Sequence, residues 1–158
     1  MIGVLFVCLG NICRSPMAEG VFAHLVKEAG LDNVIYADSA GTGGWHVGES
    51  PHSGTQRVLR EHGIAYHGRA RQFTASDLNE FSYILAMDRS NLSGIRRLVR
   101  KDTSAEIALF LSYAYNKGLV DVEEVPDPYY DGRFDYVYEL VHTGSQALLD
   151  HIRQAHNL

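Results

Sequence analysis

Residues 2–7 read Ile-Gly-Val-Leu-Phe-Val, an apolar run with no polar alternation. A strand with one wet face alternates; a run like this belongs to a strand buried on both faces. Such a strand lies in a sheet with a layer on each side, and that demand removes most architectures. Helical spacing follows. Val21, Phe22, Leu25, Val26 and Ala29 share one face, and Gly30 ends the stretch. The alternation then repeats. Strands are predicted over 34–37, 83–87 and 107–111, and helices over 51–62 and 91–99. Val137, Val141, Leu148 and Ile152 mark one face of a long last helix. A β-α-β-α order implies a parallel sheet with helices on both faces. Ligands in such folds sit at the carboxyl ends of the strands. The loop at 8–15, directly after the first strand, is therefore the first candidate site.

The chain has 158 residues, the usual size of one domain, and no linker or repeat divides it. One domain over 1–158 is expected. The net charge of -5 argues against a nucleic-acid binder, which would show a basic excess. There are two cysteines, Cys8 and Cys13, in a C-x4-C spacing without a second Cys/His pair, so no zinc site is expected. The apolar opening is short and lacks a basic leader, so it is not expected to be a signal peptide. No stretch approaches the ~20 apolar residues of a membrane span. A soluble cytoplasmic protein is the expectation.

The candidate loop is Cys8-Leu9-Gly10-Asn11-Ile12-Cys13-Arg14, followed by Ser15-Pro16. Gly10 permits an unusual turn, and Asn11 tolerates a left-handed backbone. Ser15 is expected to cap a helix and Pro16 to open it. The loop amides then converge on one point with a helix dipole behind them, which makes an anion site. A thiol facing that cradle is favoured as thiolate, the attacking form. Arg14 can grip two phosphoryl oxygens at once and suits the charge that spreads over them during transfer. The Ser15 hydroxyl is placed to hydrogen-bond the sulfur and to stabilise it as a leaving group. A lone cysteine at a strand end is most often a small buried hydrophobe. The coincidence of turn, spaced arginine and helix start favours a nucleophile.

Thiolate attack at phosphorus needs a proton for the departing oxygen. Asp127-Pro128-Tyr129-Tyr130 lies in a loop before the last helix. Asp127 is the candidate acid, and the base that activates water afterwards. Tyr129 and Tyr130 are candidates for an aromatic wall. Asp-Pro pairs also start ordinary turns, and only the Cys-Arg loop favours the catalytic reading.

With these motifs the chain resembles the low-molecular-weight protein-tyrosine phosphatases. The resemblance runs through V-C-L-G-N-I-C-R-S-P-M-A-E at 7–19, D-S-A-G-T at 38–42, W-H-V-G at 45–48, A-R-Q at 70–72, A-M-D-R-S-N at 86–91 and P-D-P-Y-Y at 126–130. It implies an α/β, flavodoxin-like fold with a central four-stranded parallel sheet. It implies hydrolysis of phosphotyrosine in a protein substrate through a phosphocysteine intermediate. Cys8 would be nucleophile, Arg14 the phosphate binder and Asp127 the acid then base. Leu9, Gly10, Asn11, Ile12, Cys13 and Ser15 would form the phosphate-binding loop. Asn11 and Ser39 would shape it, and Trp45 and Tyr129 would flank the substrate ring. No metal or organic cofactor is implied. From charge and hydropathy no nucleic-acid or membrane partner is expected, and the expectation for assembly is a monomer or weak homodimer. In relatives the second loop cysteine, here Cys13, can form a reversible disulfide with the nucleophile, which would protect Cys8 from over-oxidation. Tyr129 and Tyr130 resemble a pair phosphorylated in some relatives. Several relatives carry a histidine where Gly68 stands, and His67 lies one residue earlier.

Other activities remain open at this stage. A protein-arginine phosphatase shares nearly the same loop but usually has Thr at the position of Ile12; Ile12 and Trp45 favour an aryl substrate. Arsenate reduction on this fold needs later cysteines, and none follows Cys13. A phosphopeptide-binding module would not need both Cys8 and Asp127. Arg96, Arg97, Arg100 and Lys101 form a basic cluster expected to complement a helix end.

Overall fold

The computed structural model describes residues 1–100 and 102–158. In chain order the elements are β1 (Ile2–Cys8), α1 (Arg14–Glu28), β2 (Ile35–Gly41), α2 (Ser53–Glu61), α3 (Asp77–Glu80) and β3 (Tyr83–Ala86). Then come α4 (Arg89–Arg96), β4 (Glu106–Leu109), α5 (Ser112–Asn116), α6 (Pro128–Asp131) and α7 (Phe134–His156). The strands form one parallel sheet in the order β2-β1-β3-β4. This is the flavodoxin-like α/β arrangement. The order reverses between β1 and β3, so the crevice at the carboxyl end of β1 is where a ligand fits.

The apolar run explains the central place of β1. Val4, Phe6 and Cys8 face one core and Leu5 and Val7 the other. The first core is closed by residues of α1, α2 and α7, among them Phe22, Val58 and Val141; the second by Leu78 and Ile95 of α3 and α4. Phe6 meets Phe22 and Phe110 edge-on at 5.5 and 5.4 Å between ring centres. Those contacts hold the strand that delivers Cys8.

Some elements differ from the sequence reading for physical reasons. The strand predicted over 34–37 runs on to Gly41, because its polar stretch Asp38-Ser39 is paired with Leu5 and Phe6 of β1. Helices α3, α5 and α6 span five residues or fewer and are too short to show a period. Helix α1 begins at Arg14, not after Ser15; Cys13 takes the cap position, and Ser15 makes no capping bond. Pro16 still lies in the first turn, where a missing N–H costs nothing. Of the basic cluster, Arg96 ends α4 and Arg97 follows it, whereas Lys101 lies outside the described residues.

Candidate active site

Four carbonyls of the loop after β1 are tied down from outside. Thr42 N–H donates to the Cys8 carbonyl at 2.9 Å, and Gly43 N–H to that of Leu9 at 2.9 Å. His52 N–H donates to the Ile12 carbonyl at 2.8 Å, and the Thr55 hydroxyl to that of Cys13 at 2.9 Å. With these oxygens held by the end of β2 and the start of α2, the loop's amide groups are left to face the opposite way. Asn11 makes this turn at φ 58°. Behind the loop stands the N-terminal end of α1, whose dipole favours an anion.

Gly41 is what lets β2 come so close. It pairs with Cys8, and a Cβ there would lie 2.8 Å from the Leu9 carbonyl oxygen and 3.2 Å from the Asn11 nitrogen. Backbone cannot yield to that contact. Gly10, by contrast, has no positive φ; a Cβ there would meet the ring of His46 at 2.9 Å. Its smallness makes room for a neighbour and does not serve the turn itself.

Cys8 is 2% exposed. Its Sγ lies 3.0 Å from the Ser15 hydroxyl and accepts from the Asn11 N–H at 3.2 Å. Asn11 Nδ2 donates to Ser15 Oγ at 2.8 Å and to Ser39 Oγ at 3.0 Å, while its Oδ1 accepts from Arg71 N–H at 3.0 Å. That last bond fixes which end of the amide is which. Ser15 Oγ is therefore an acceptor from Asn11, and its own proton is free to point at the sulfur. Ser39 passes its proton on to Glu19 Oε1 at 2.6 Å, which also accepts from Tyr66 at 2.7 Å. Burial pushes the Glu19 carboxyl up, against the Ser39 and Tyr66 donors. His67 is exposed and outside this chain of bonds; the phenol of Tyr66 fills the space beside Gly68, where a Cβ would lie 2.2 Å from its oxygen.

Arg14 is 3% exposed and is aimed by two groups. Its Nη1 donates to Asp88 Oδ2 at 2.7 Å and to the Val125 carbonyl at 3.0 Å. Both hydrogens of that nitrogen are thus spent, which leaves Nε and Nη2 for a two-oxygen grip. Nη2 lies 3.6 Å from Asp127 Oδ2. Burial lowers the guanidinium's pKa, but Cys8, Asp88 and Asp127 together outweigh it and the net direction is up. Asp127 has two uses. Its Oδ1 accepts from Tyr129 N–H at 3.0 Å and caps α6, while Oδ2 turns to Arg14. The turn contact and the Arg14 contact are therefore made by different oxygens.

Cys8, Leu9, Gly10, Ile12, Cys13, Arg14, Trp45, Asp127 and Tyr129 line one cleft of about 290 Å³, together with His46 and Tyr130. Its floor is the loop, and its walls are aromatic. Trp45 lies against the backbone of Gly43, where a Cβ would be 1.8 Å from its ring. Asn11, Ser15 and Ser39, expected at the phosphate or its loop, do not line the cleft; their side chains hold the sulfur and the loop from behind. Among the described residues no group of three or more His, Cys, Asp or Glu is placed to hold a metal ion, and no helix is long and apolar enough to cross a membrane.

The model of the family described as low molecular weight phosphotyrosine protein phosphatase matches residues 3–158. The chain belongs to that family. It is 48% identical, over the full length of both chains, to the low molecular weight protein-tyrosine-phosphatase YfkJ of Bacillus subtilis. It is 45% identical to a low molecular weight protein-tyrosine-phosphatase of Streptomyces coelicolor, covering 96% of this chain and 93% of the other. The crystal structure of YfkJ superimposes with a TM-score of 0.93 over 99% of this chain and 97% of that one. That of a Drosophila arginine phosphatase, 35% identical, does so at 0.88 over 97% and 98%. The protein is a low molecular weight protein-tyrosine phosphatase, a cysteine-based hydrolase.

Several residues that build the phosphatase's cleft escaped the sequence reading. Asp88 had a visible signal: Asp-Arg-Ser-Asn after a strand is a helix start, and Asp88 Oδ1 does cap α4 through Asn91 N–H at 2.8 Å. Nothing in that signal shows the second oxygen on Arg14. Thr55 and His52 lie some 40 residues from the loop they hold. Arg71 donates its amide to Asn11, and its guanidinium is locked between Asp38 and Asp77 at 3.0 Å each.

Proposed function

We propose that Cys8, Arg14 and Asp127 carry out the hydrolysis, with phosphotyrosine in a protein as the substrate. The Cys8 thiolate attacks phosphorus, the bond from phosphorus to the phenolic oxygen breaks, and Asp127 gives the leaving oxygen its proton. The phosphorus is then bonded to Sγ. Asp127, now a carboxylate, takes a proton from water as that water attacks. The sulfur–phosphorus bond breaks, phosphate departs, and the thiolate returns to its hydrogen bonds from Ser15 and Asn11. Arg14 grips two equatorial oxygens throughout, and the loop amides hold charge as it develops. The proposal calls on no cofactor or metal.

The observation that carries this reading is the shared geometry of three groups. The sulfur has two donors, the guanidinium has one face aimed by Asp88, and a carboxylate oxygen stands 3.6 Å from its other nitrogen. The apolar side chain of Ile12 and the rings of Trp45 and Tyr129 line the cleft and favour an aryl ester. The Drosophila arginine phosphatase keeps phosphoarginine as a second reading, and Ile12 speaks against it here. We place the enzyme in the cytoplasm, acting on a phosphoprotein as a monomer or weak dimer and without nucleic acid.

The test is phosphate release without metal from matched phosphotyrosine, phosphoserine and phosphoarginine peptides. Release from phosphotyrosine is expected to vanish in Cys8→Ser and to slow by about 10²- to 10⁴-fold in Asp127→Ala. Preference for phosphoarginine would replace the substrate assignment. No release from any peptide would overturn the mechanism.

A further inference from the structure

Helix α2 has an unusual N-cap. N-caps are most often Ser, Thr, Asp or Asn, whose small oxygen takes a backbone proton. Here the cap is His52, and its Nδ1 accepts from Gly54 N–H at 3.0 Å. That bond puts the proton of a neutral ring on Nε2. Any small cap would serve the helix equally well, so the ring invites a separate explanation.

The ring lies between two others. It stacks on Phe134 with centres 4.8 Å apart and planes 22° apart, and it meets Tyr129 edge-on at 5.7 Å and 71°. Phe134 is 5% exposed and opens α7. Gly54 leaves room for it, since a Cβ there would lie 2.5 Å from the Phe134 ring. The His52 backbone N–H meanwhile donates to the Ile12 carbonyl in the loop below Cys8. One residue thus touches the floor of the cleft with its backbone and a wall of the cleft with its ring.

That wall needs outside support. Tyr129 sits on α6, four residues long, too short to hold a fixed shape alone. Only Pro128 in that helix is buried, and Tyr129 itself is 46% exposed.

We propose that His52 is a positioning residue for substrate: its ring, braced by Phe134, fixes how far the Tyr129 wall stands from the phosphate loop and so sets affinity for aryl phosphates. This rests on the cleft being the phosphatase site. The ring acts on the aryl group of the substrate, not on the phosphate.

Two substitutions separate the ring from the cap. His52→Asn keeps a good N-cap and removes the aromatic contact. It is expected to raise KM for phosphotyrosine and for p-nitrophenyl phosphate by about three- to ten-fold, the worth of one aromatic pair. The inhibition constant of inorganic phosphate, which has no ring, stays at the wild-type value. His52→Phe keeps a ring and removes the cap; it restores KM toward wild type while lowering Tm. An unchanged KM in His52→Asn overturns the proposal. So does an equal weakening of aryl phosphate and inorganic phosphate, which would mean that the residue acts only through the loop. A wild-type protein that releases no phosphate would instead overturn the phosphatase mechanism itself.

Discussion

Asp88→Asn probes the anchor behind Arg14. Both oxygens of this carboxylate accept: Oδ1 from Asn91 N–H at 2.8 Å and Oδ2 from Arg14 Nη1 at 2.7 Å. Asparagine has the same size but one acceptor, so its NH₂ must face one of the two donors. If the amide oxygen stays on Asn91, the buried guanidinium loses a charged hydrogen bond, worth about 1.5–3 kcal/mol. If it turns to Arg14, α4 loses its cap, worth about 0.5–2 kcal/mol. The side chain settles in the less costly pose, so a loss of about 1–2 kcal/mol is expected. At roughly 2–4 °C per kcal/mol for a chain of this size, Tm falls by about 2–8 °C. Catalysis suffers more. In either pose Arg14 faces a neutral amide in place of a carboxylate and its hold slackens; a shift of up to about 1 Å costs up to about 10²-fold, and kcat is expected to fall by about 10- to 100-fold. Thermal unfolding and turnover of p-nitrophenyl phosphate, measured at one pH, read the two effects separately. A variant with wild-type Tm and kcat would refute the reasoning and leave the Val125 carbonyl as Arg14's sufficient anchor.

Gly41→Ala forces a methyl to 2.8 Å from the Leu9 oxygen; a loss of about 1–3 kcal/mol and a rise in the inhibition constant of phosphate are expected, and an unaffected constant would show that the loop tolerates the push. Burial first, then Cys8 and Asp127, push the Cys13 thiol up from about 9 to about 12, with Arg14 opposing. The unfolded chain releases that proton near pH 9 and the native one holds it, so this contribution to stability is complete below pH 9 and is lost as pH rises toward 12. Tm followed from pH 8 to 11 should fall more steeply in the wild type than in Cys13→Ala; parallel curves would contradict the sign. Mild peroxide should convert Cys8 to a sulfenic acid, which the Cys13 sulfur then attacks with release of water to give a disulfide. Mass spectrometry is expected to find the linked loop peptide, forming faster as pH rises, and sulfonated Cys8 without the link would remove that protective role.

Much of this was legible in the sequence because it was local. The apolar run named β1, and the Cys-x5-Arg loop named the site, since a strand end, a turn and a helix start follow one another without interruption. Asn11 was read correctly as the left-handed residue. Ser15 was read correctly in part: its hydroxyl does meet the Cys8 sulfur, but the helix cap also expected of it is absent, because Cys13 takes that position. Gly10 and Gly41 show the same limit. Both are small for the sake of a neighbour, one beside the His46 ring and the other beside the loop's backbone. Neither neighbour is near in sequence. Asp88, Thr55 and Arg71 act on the loop from afar through one atom each, and no periodicity records a single hydrogen bond.

The second anchor of Arg14 is the carbonyl of Val125, 111 residues further along the chain. The four strands are complete at Leu109, before that carbonyl exists during synthesis. A chain halted there carries the thiol and its loop, but the arginine has nothing beyond Asp88 to aim it and no Asp127 opposite. On the proposed mechanism, reactivity is therefore one of the last properties a growing polypeptide acquires. Until α7 follows, the core that Cys8 faces also stays open on that side.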